Sequence, residues 1–243
     1  MIPQTVPVLE DGSIDIEVAI GKVKSDDMHF PRTKLLCLEN TYNGKPLSPK
    51  YMQCATAAAR KVNLRSHLDG ARLMNAAIAN KCTPRELASS FDTVSLCLSK
   101  GLGAPVGSVL VGNQDFINEA RRVRKMLGGG MRQAGILAAC GIVAMKNQVD
   151  RLIQDHALAA RLASELAQIP DIETEPQGAN TNMVFIKVEH KHRAPLQNFL
   201  KEEGILIGGR PPTFRLVLHR DITENDVNKT VSSIAKFFRG LSY

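Results

Sequence analysis

The sequence predicts an α/β fold with a smaller α+β domain behind it, and three observations carry that prediction. Helical and strand patterns alternate from residue 34 to residue 146, the order expected of parallel β-α-β units. The strands in that part end in polar groups, Glu39-Asn40, Asp69-Gly70 and Ser99-Lys100. From about residue 149 the order becomes helix, strand, helix, strand, strand, helix, which suits a separate α+β unit. The division is drawn at 1–148 and 149–243, sizes close to ordinary domains of ~100–200 residues.

Each element has its own signal. Asp11-Gly12-Ser13 is turn chemistry, with a helix following inside 10–26. Lys34-Leu35-Leu36-Cys37-Leu38 is a near-continuous apolar run, read as a strand buried on both faces. Asn43-Gly44 and two prolines make a loop of 42–49, and an alanine-rich helix covers 49–61. A strand over 62–68 ends at Asp69-Gly70, and a helix spans 71–80. Thr83-Pro84-Arg85-Glu86 starts a short helix, with threonine at the N-cap, proline at N1 and glutamate at N3. Strands follow at 92–98 and 109–112, then a helix over 113–127 that Gly128-Gly129-Gly130 breaks. The next helix, 131–146, is rich in small apolar residues and is expected to be buried. In the second part, helix 149–167 stops before Pro170, and strand 182–188 precedes helix 194–203. Gly204 suits the C′ position of that helix. Short strands at 205–207 and 214–219 lead to a last amphipathic helix from Thr223 to Phe238.

Composition narrows the function classes. The chain has 243 residues, 44% hydrophobic, and no tryptophan, so a base-stacking surface for nucleic acid is not expected. The net charge of +7 reads as a mixed, solvated surface. Only Arg121-Arg122-Val123-Arg124-Lys125 is a dense cationic cluster, suited to a phosphate-bearing small molecule or a subunit interface. Five cysteines lack C-x-x-C spacing and are expected to be reduced; Cys37 and Cys97 are read as buried hydrophobes. No zinc spacing, signal peptide or membrane-length apolar run is visible, so a cytoplasmic chain without metal or membrane is expected.

Ligands of parallel sheets bind at the carboxyl ends of strands. There the sequence places an amine at Lys100, a carboxylate at Asp69 and a guanidinium at Arg72. Pyridoxal phosphate requires an amine for covalent attachment, a carboxylate to keep its ring nitrogen protonated, and phosphate anchors. Taken singly the residues stay open: Asp69 also reads as a helix cap, Arg72 as a surface ion pair, and His67 as a structural histidine. Gly128-Gly129-Gly130-Met131-Arg132 lacks the Gly-Lys-Ser/Thr ending of a nucleotide loop.

In combination these motifs resemble one family. Leu38-Glu39-Asn40-Thr41, His67-Leu68-Asp69-Gly70-Ala71-Arg72, the run from Ser99-Lys100-Gly101 to Val106-Gly107-Ser108, and Arg124-Lys125-Met126-Leu127 with Gly128-Gly129-Gly130-Met131-Arg132-Gln133 are similar in order and spacing to the threonine aldolases. The resemblance covers nearly the whole chain. It implies a pyridoxal-phosphate lyase of the aspartate aminotransferase-like fold, fold type I, cleaving threonine or allo-threonine to glycine and an aldehyde. It implies Lys100 as the Schiff-base lysine, Asp69 on the ring nitrogen, and Arg72 on cofactor and substrate carboxylate. It implies Ser99 and Arg132 as further cofactor contacts. It implies that Arg215, within Phe214-Arg215-Leu216-Val217, grips the substrate carboxylate, and that Lys125 is a cation near the active site that binds substrate. A homo-oligomer sharing the site between subunits is implied too. The family carries a phosphate loop and a ring-stacking histidine in a longer amino-terminal portion, and tyrosine stands at Tyr42 where histidine is usual. A large domain lacking that portion, and an impaired homologue, are therefore the alternative expectation. A β-eliminating lyase or aminotransferase on the same fold is the other.

Overall fold

The computed structural model describes residues 2–175 and 178–240. Met1, Pro176, Gln177 and residues 241–243 lie outside the described residues. The chain divides into two compact units, Met1–Asp150 and Arg151–Tyr243.

In the first unit, Asp15 caps the short helix α1 (Ile16–Gly21) by accepting the backbone N–H groups of Glu17 and Val18. Then come β1 (Leu35–Glu39), α2 (Pro49–Lys61), β2 (Arg65–Gly70), α3 (Leu73–Asn80), α4 (Pro84–Ala88), β3 (Thr93–Cys97), β4 (Ser108–Val111), α5 (Gln114–Met126) and α6 (Gly135–Asn147). The sheet order is β1-β2-β3-β4. β1, β2 and β3 are parallel; β4 returns antiparallel to β3, because residues 98–107 hold no crossover helix.

The expected strand buried on both faces is corrected. β1 alternates exposed and buried residues along its length. Leu36 and Leu38, with Ser66, Leu68 and Gly70 and then Val94 and Leu96, turn to a core completed by Met52, Ala55 and Ala59 of α2, by α3, and by Leu87 of α4. Cys37 sits on the other face and is exposed, and Cys97 there is half-buried, so neither is the buried hydrophobe expected. All five thiols are unpaired.

Local chemistry sets the element ends. Ser48 caps α2, whose first residue is Pro49. Thr83 and Glu86 form the reciprocal capping box of α4. α5 ends in a Schellman motif: Gly128, at φ +81°, donates its N–H to the Lys125 carbonyl and Gly129 donates to the Arg124 carbonyl. The triple glycine is thus a helix stop. α6 starts later than its apolar pattern and is not buried as expected; Ile136, Ile142 and Val143 are each more than half exposed. β4 is exposed along its whole length.

The second unit holds α7 (Leu152–Leu166), β5 (Glu173–Thr174), β6 (Met183–Lys187), α8 (His190–Glu202), β7 (Thr213–Val217) and α9 (Glu224–Arg239). Its antiparallel sheet β5-β6-β7 packs Val184, Ile186, Phe214 and Leu216 against Leu162, Leu166, Leu196, Leu200, Ile234 and Phe238 of the helices. The two-residue strand β5 carries no pattern long enough to read. Helix α8 begins four residues before the expected start, and Pro195 lies inside it. The carbonyl that Pro195 leaves without a donor belongs to Lys191, which is exposed to water. Gly204 is the C′ residue at φ +77°. Residues 205–207 are not a strand; only a bridge from Gly208 to Arg215 forms there. Asp155 is buried and receives two bonds of 2.7 Å from Arg151, the N-cap residue of α7.

At the base of the first sheet, Asp92 fixes β2 to β3. Its carboxylate accepts the Ser66 backbone N–H at 2.7 Å and the Ser66 hydroxyl at 2.9 Å. Burial pushes Asp92 up, but the two Ser66 donors, aided by Arg60 and Arg65, outweigh it and hold the carboxyl below its ordinary 3.8. A depressed acid stabilises the fold above its unfolded pKa and stops doing so as pH falls through the folded value. Asp92→Ala is expected to cost about 1–2 kcal/mol at pH 7, measured by urea denaturation. That difference should shrink once pH drops below 3.8.

Candidate active site

The carboxyl ends of β1, β2 and β3 bring four charged side chains to one place. Glu39 and Asp69 are register partners on neighbouring strands, and Ser95 continues their row on β3. Parallel strands lie about 4.8 Å apart, so the two carboxylates stand side by side on the face that the helices leave open. Arg72 follows β2 by two residues, and Lys100 follows β3 by three. Both cations act on Glu39: burial and the Asp69 charge push the Glu39 carboxyl above its ordinary 4.5, while Lys100 and Arg72 pull it partly back.

Backbone constraints hold this group in place. The Asp69 carboxylate accepts the Ala71 backbone N–H at 2.9 Å, so Asp69 shapes the turn after β2. Gly70 is required by close approach, since a Cβ there would lie 2.6 Å from the Ser95 carbonyl oxygen. Lys100 is exposed and opens a turn in which its carbonyl accepts the Gly103 N–H at 2.9 Å. Ser99 is exposed beside it, its hydroxyl 3.6 Å from the Cys97 sulfur. His67 is half-buried on the same face and bonds Thr93 Oγ1 at 2.8 Å, a structural partner.

The strand end that carries Glu39 is anchored by Asn40. Its N–H donates to the Asp69 carbonyl at 3.0 Å. Its fully buried amide donates to the Leu47 carbonyl and accepts the Leu47 N–H, each at 3.0 Å. Thr41, also buried, has a hydroxyl with no partner among the described residues. Sequence reasoning marked Glu39-Asn40 as a strand end and gave neither residue a role. Glu39's place as the register partner of Asp69 is what marks it.

The other expected site residues are Lys125 and Arg132 in the first unit and Arg215 in the second. Lys125 lays its stem across Gly130, where a Cβ would meet Lys125 Cδ at 2.6 Å. Arg132 is exposed after the triple glycine. Neither is among the charges acting on Glu39. Arg215 belongs to the second unit. It is exposed on β7 opposite Phe185, and its N–H donates to the Gly208 carbonyl at 2.7 Å. Arg193 clamps that turn, donating to the Pro212 carbonyl at 3.1 Å and the Thr213 carbonyl at 3.0 Å while stacking on Phe214 at 4.0 Å.

A cleft of about 830 Å³ runs along β1, lined by Val6, Val8, Val23, Leu36, Leu38 and Tyr51 among others, and it reaches Glu39 and Tyr42. Of the four charged groups, only Glu39 lines it. No group of three or more His, Cys, Asp or Glu side chains suited to a metal occurs among the described residues. Nor is any described helix long and apolar enough to cross a membrane.

Residues 1–189 match the family model for beta-eliminating lyases. The chain is 45% identical over 225 residues to a low specificity L-threonine aldolase of Escherichia coli, covering 93% of this chain and 66% of that protein. It is 42% identical over 239 residues to low-specificity L-threonine aldolase 1 of Arabidopsis thaliana, covering 95% and 67%. The chain thus spans about two thirds of the length of the curated relatives it matches. Among solved structures, a Leishmania major threonine aldolase superposes with a TM-score of 0.77 at 21% identity, covering 94% of this chain and 68% of that one. A Sphingomonas wittichii serine palmitoyltransferase gives 0.72 at 18% identity, covering 93% and 58%. The fold is therefore the one these enzymes share, the aspartate aminotransferase-like α/β fold.

Replacing Asn40 strips two buried hydrogen bonds and leaves the Leu47 N–H without its acceptor. Asn40→Ala is expected to lower the stability of the first unit by about 2–3 kcal/mol. Urea unfolding followed by circular dichroism checks it.

Proposed function

We propose, because the chain belongs to the threonine aldolase family of beta-eliminating lyases, that it is a pyridoxal-phosphate-dependent carbon–carbon lyase acting on β-hydroxy-α-amino acids. The observation that carries the reading is the group at the strand ends. An amine, a carboxylate and a guanidinium act together on one point, Glu39, which is the donor set that pyridoxal phosphate needs.

Lys100 would attach the cofactor through its amine, and Asp69 would hold the proton on the ring nitrogen. The bond that its carboxylate accepts from the Ala71 N–H would limit its rotation. When bound, the cofactor supplies an electron sink for the α-carbon of the substrate. Arg72 would contact cofactor and substrate, and Ser99 and Arg132 would donate to the phosphate. Arg215 would pair its guanidinium with the substrate carboxylate, fixing the amino acid's orientation by a two-bonded contact. Lys125 would add positive charge for the same anion. The products of threonine are then glycine and acetaldehyde.

The reading extends to a cytoplasmic homo-oligomer whose subunits share the site. What supports assembly is the apolar surface of the first unit: Leu110 and Val111 of β4, Met126 and Leu127, and Ile136 and Ile142 of α6 are all exposed. Five unpaired thiols suit a reducing compartment.

The test is to supply pyridoxal phosphate and threonine and to measure glycine and aldehyde. A keto acid with ammonia would instead identify β-elimination, and an amino acid formed from a keto-acid acceptor would identify amino transfer. Lys100→Ala should abolish glycine release. Asp69→Asn should keep cofactor attachment yet sharply lower kcat. Arg215→Ala should act mainly on KM, by about 2–5 kcal/mol for a desolvated charge pair. Near-normal KM and kcat in that variant would remove Arg215 from the site.

A further inference from the structure

Three of the four charged groups at the strand ends have work in the reading above, and the fourth does not. Cleavage of a β-hydroxy amino acid requires a base for the hydroxyl proton. That base must face both the attachment point of the substrate and the space that receives its side chain.

Glu39 meets both conditions. It is the register partner of Asp69 and lies within charge reach of Lys100 and Arg72. It also lines the cleft along β1, which the other three do not. On Glu39's own face the cleft is lined by Leu35 and Cys37, an apolar wall of the kind the alkyl end of a substrate would require. Asn40 and its bonds to Leu47 and Asp69 fix the backbone directly after Glu39, so the carboxyl is carried on a rigid strand end.

We infer that Glu39 is the catalytic base of this site, taking the proton of the substrate's β-hydroxyl as the carbon–carbon bond breaks. This rests on the lyase reading. The hydroxyl's O–H pair becomes the second bond of the aldehyde carbonyl. The Cα–Cβ pair stays with the amino-acid fragment. Return of the proton from Glu39 to Cα gives glycine and restores the carboxylate, so the step balances without a further reactant.

The electrostatics support that role. Burial and the neighbouring Asp69 carboxylate raise the Glu39 carboxyl, with Lys100 and Arg72 opposing them. A carboxylate whose pKa lies closer to the working pH is the stronger base.

The experiment uses the full chain and three variants, Glu39→Gln, Glu39→Asp and Asp69→Asn. Without cofactor or substrate, ¹³C NMR of glutamate-labelled protein follows the one carboxyl that Glu39→Gln removes. It should titrate above 4.5 and move down in Asp69→Asn. With pyridoxal phosphate loaded, Glu39→Gln should lower kcat for threonine by about 10²–10⁴. Its cofactor Kd should change less than about threefold. The acid limb of the wild-type kcat/KM profile should vanish in Glu39→Gln, and Glu39→Asp should recover part of the rate. Glycine release within about threefold of wild type in Glu39→Gln, or a Glu39 titration in the ordinary range and indifferent to Asp69→Asn, overturns the inference alone. A wild-type chain that releases no glycine overturns the lyase reading and this inference with it.

Discussion

Everything at the candidate site depends on three strands running parallel and in register. Parallel pairing brings all their carboxyl ends to one edge of the sheet. Register then decides which side chains share a row. With Cys37 opposite His67 and Thr93, the next row on that face must be Glu39, Asp69 and Ser95. A slip of one residue would turn Asp69 into the core and Leu68 out of it. The register is held by contacts at both ends. Asp92 binds Ser66 where the strands begin, and Asn40 binds Asp69 and Leu47 where they finish. Gly70 keeps β2 and β3 at the distance this row requires.

The same register explains which part of the site was legible from sequence. Lys100, Asp69 and Arg72 were readable because each ends or follows an apolar run, and strand ends are where such sheets bind ligands. The helix punctuation was readable because capping chemistry is local: Thr83 with Glu86, Thr223 with Asp226, and Gly204 all sit where their residue types require. Glu39 was harder. A glutamate after four mostly apolar residues looks like a strand's polar boundary until its neighbour across the sheet is known. The alternation of β1 was missed for a related reason, because Leu35 and Cys37 are apolar residues on an open face, so composition hid the period of two. Residues 205–207 failed in the opposite direction. Ile205-Leu206-Ile207 has strand composition, yet Leu206 is exposed and only Gly208 pairs with β7.

In the second unit, the position of Arg215 depends on residues that carry no motif. Gly209 adopts φ +128°, and a Cβ there would lie 2.6 Å from the Thr213 carbonyl oxygen. Arg193 supplies the hydrogen bonds that the turn's own backbone does not make, and its stacking on Phe214 ties the turn to the core. An arginine four residues into a helix reads as surface charge in sequence. Here its partners are carbonyls from the loop beside it, a contact that no local pattern encodes.

The central claim is that the group at the ends of β1, β2 and β3 is a pyridoxal-phosphate site with Lys100 as its covalent anchor. The most direct test is to add pyridoxal phosphate to the chain, reduce with borohydride and map the labelled peptide. The account predicts one dominant label, on Lys100. A label on another lysine, or none above the level of the Lys100→Ala variant, would contradict it.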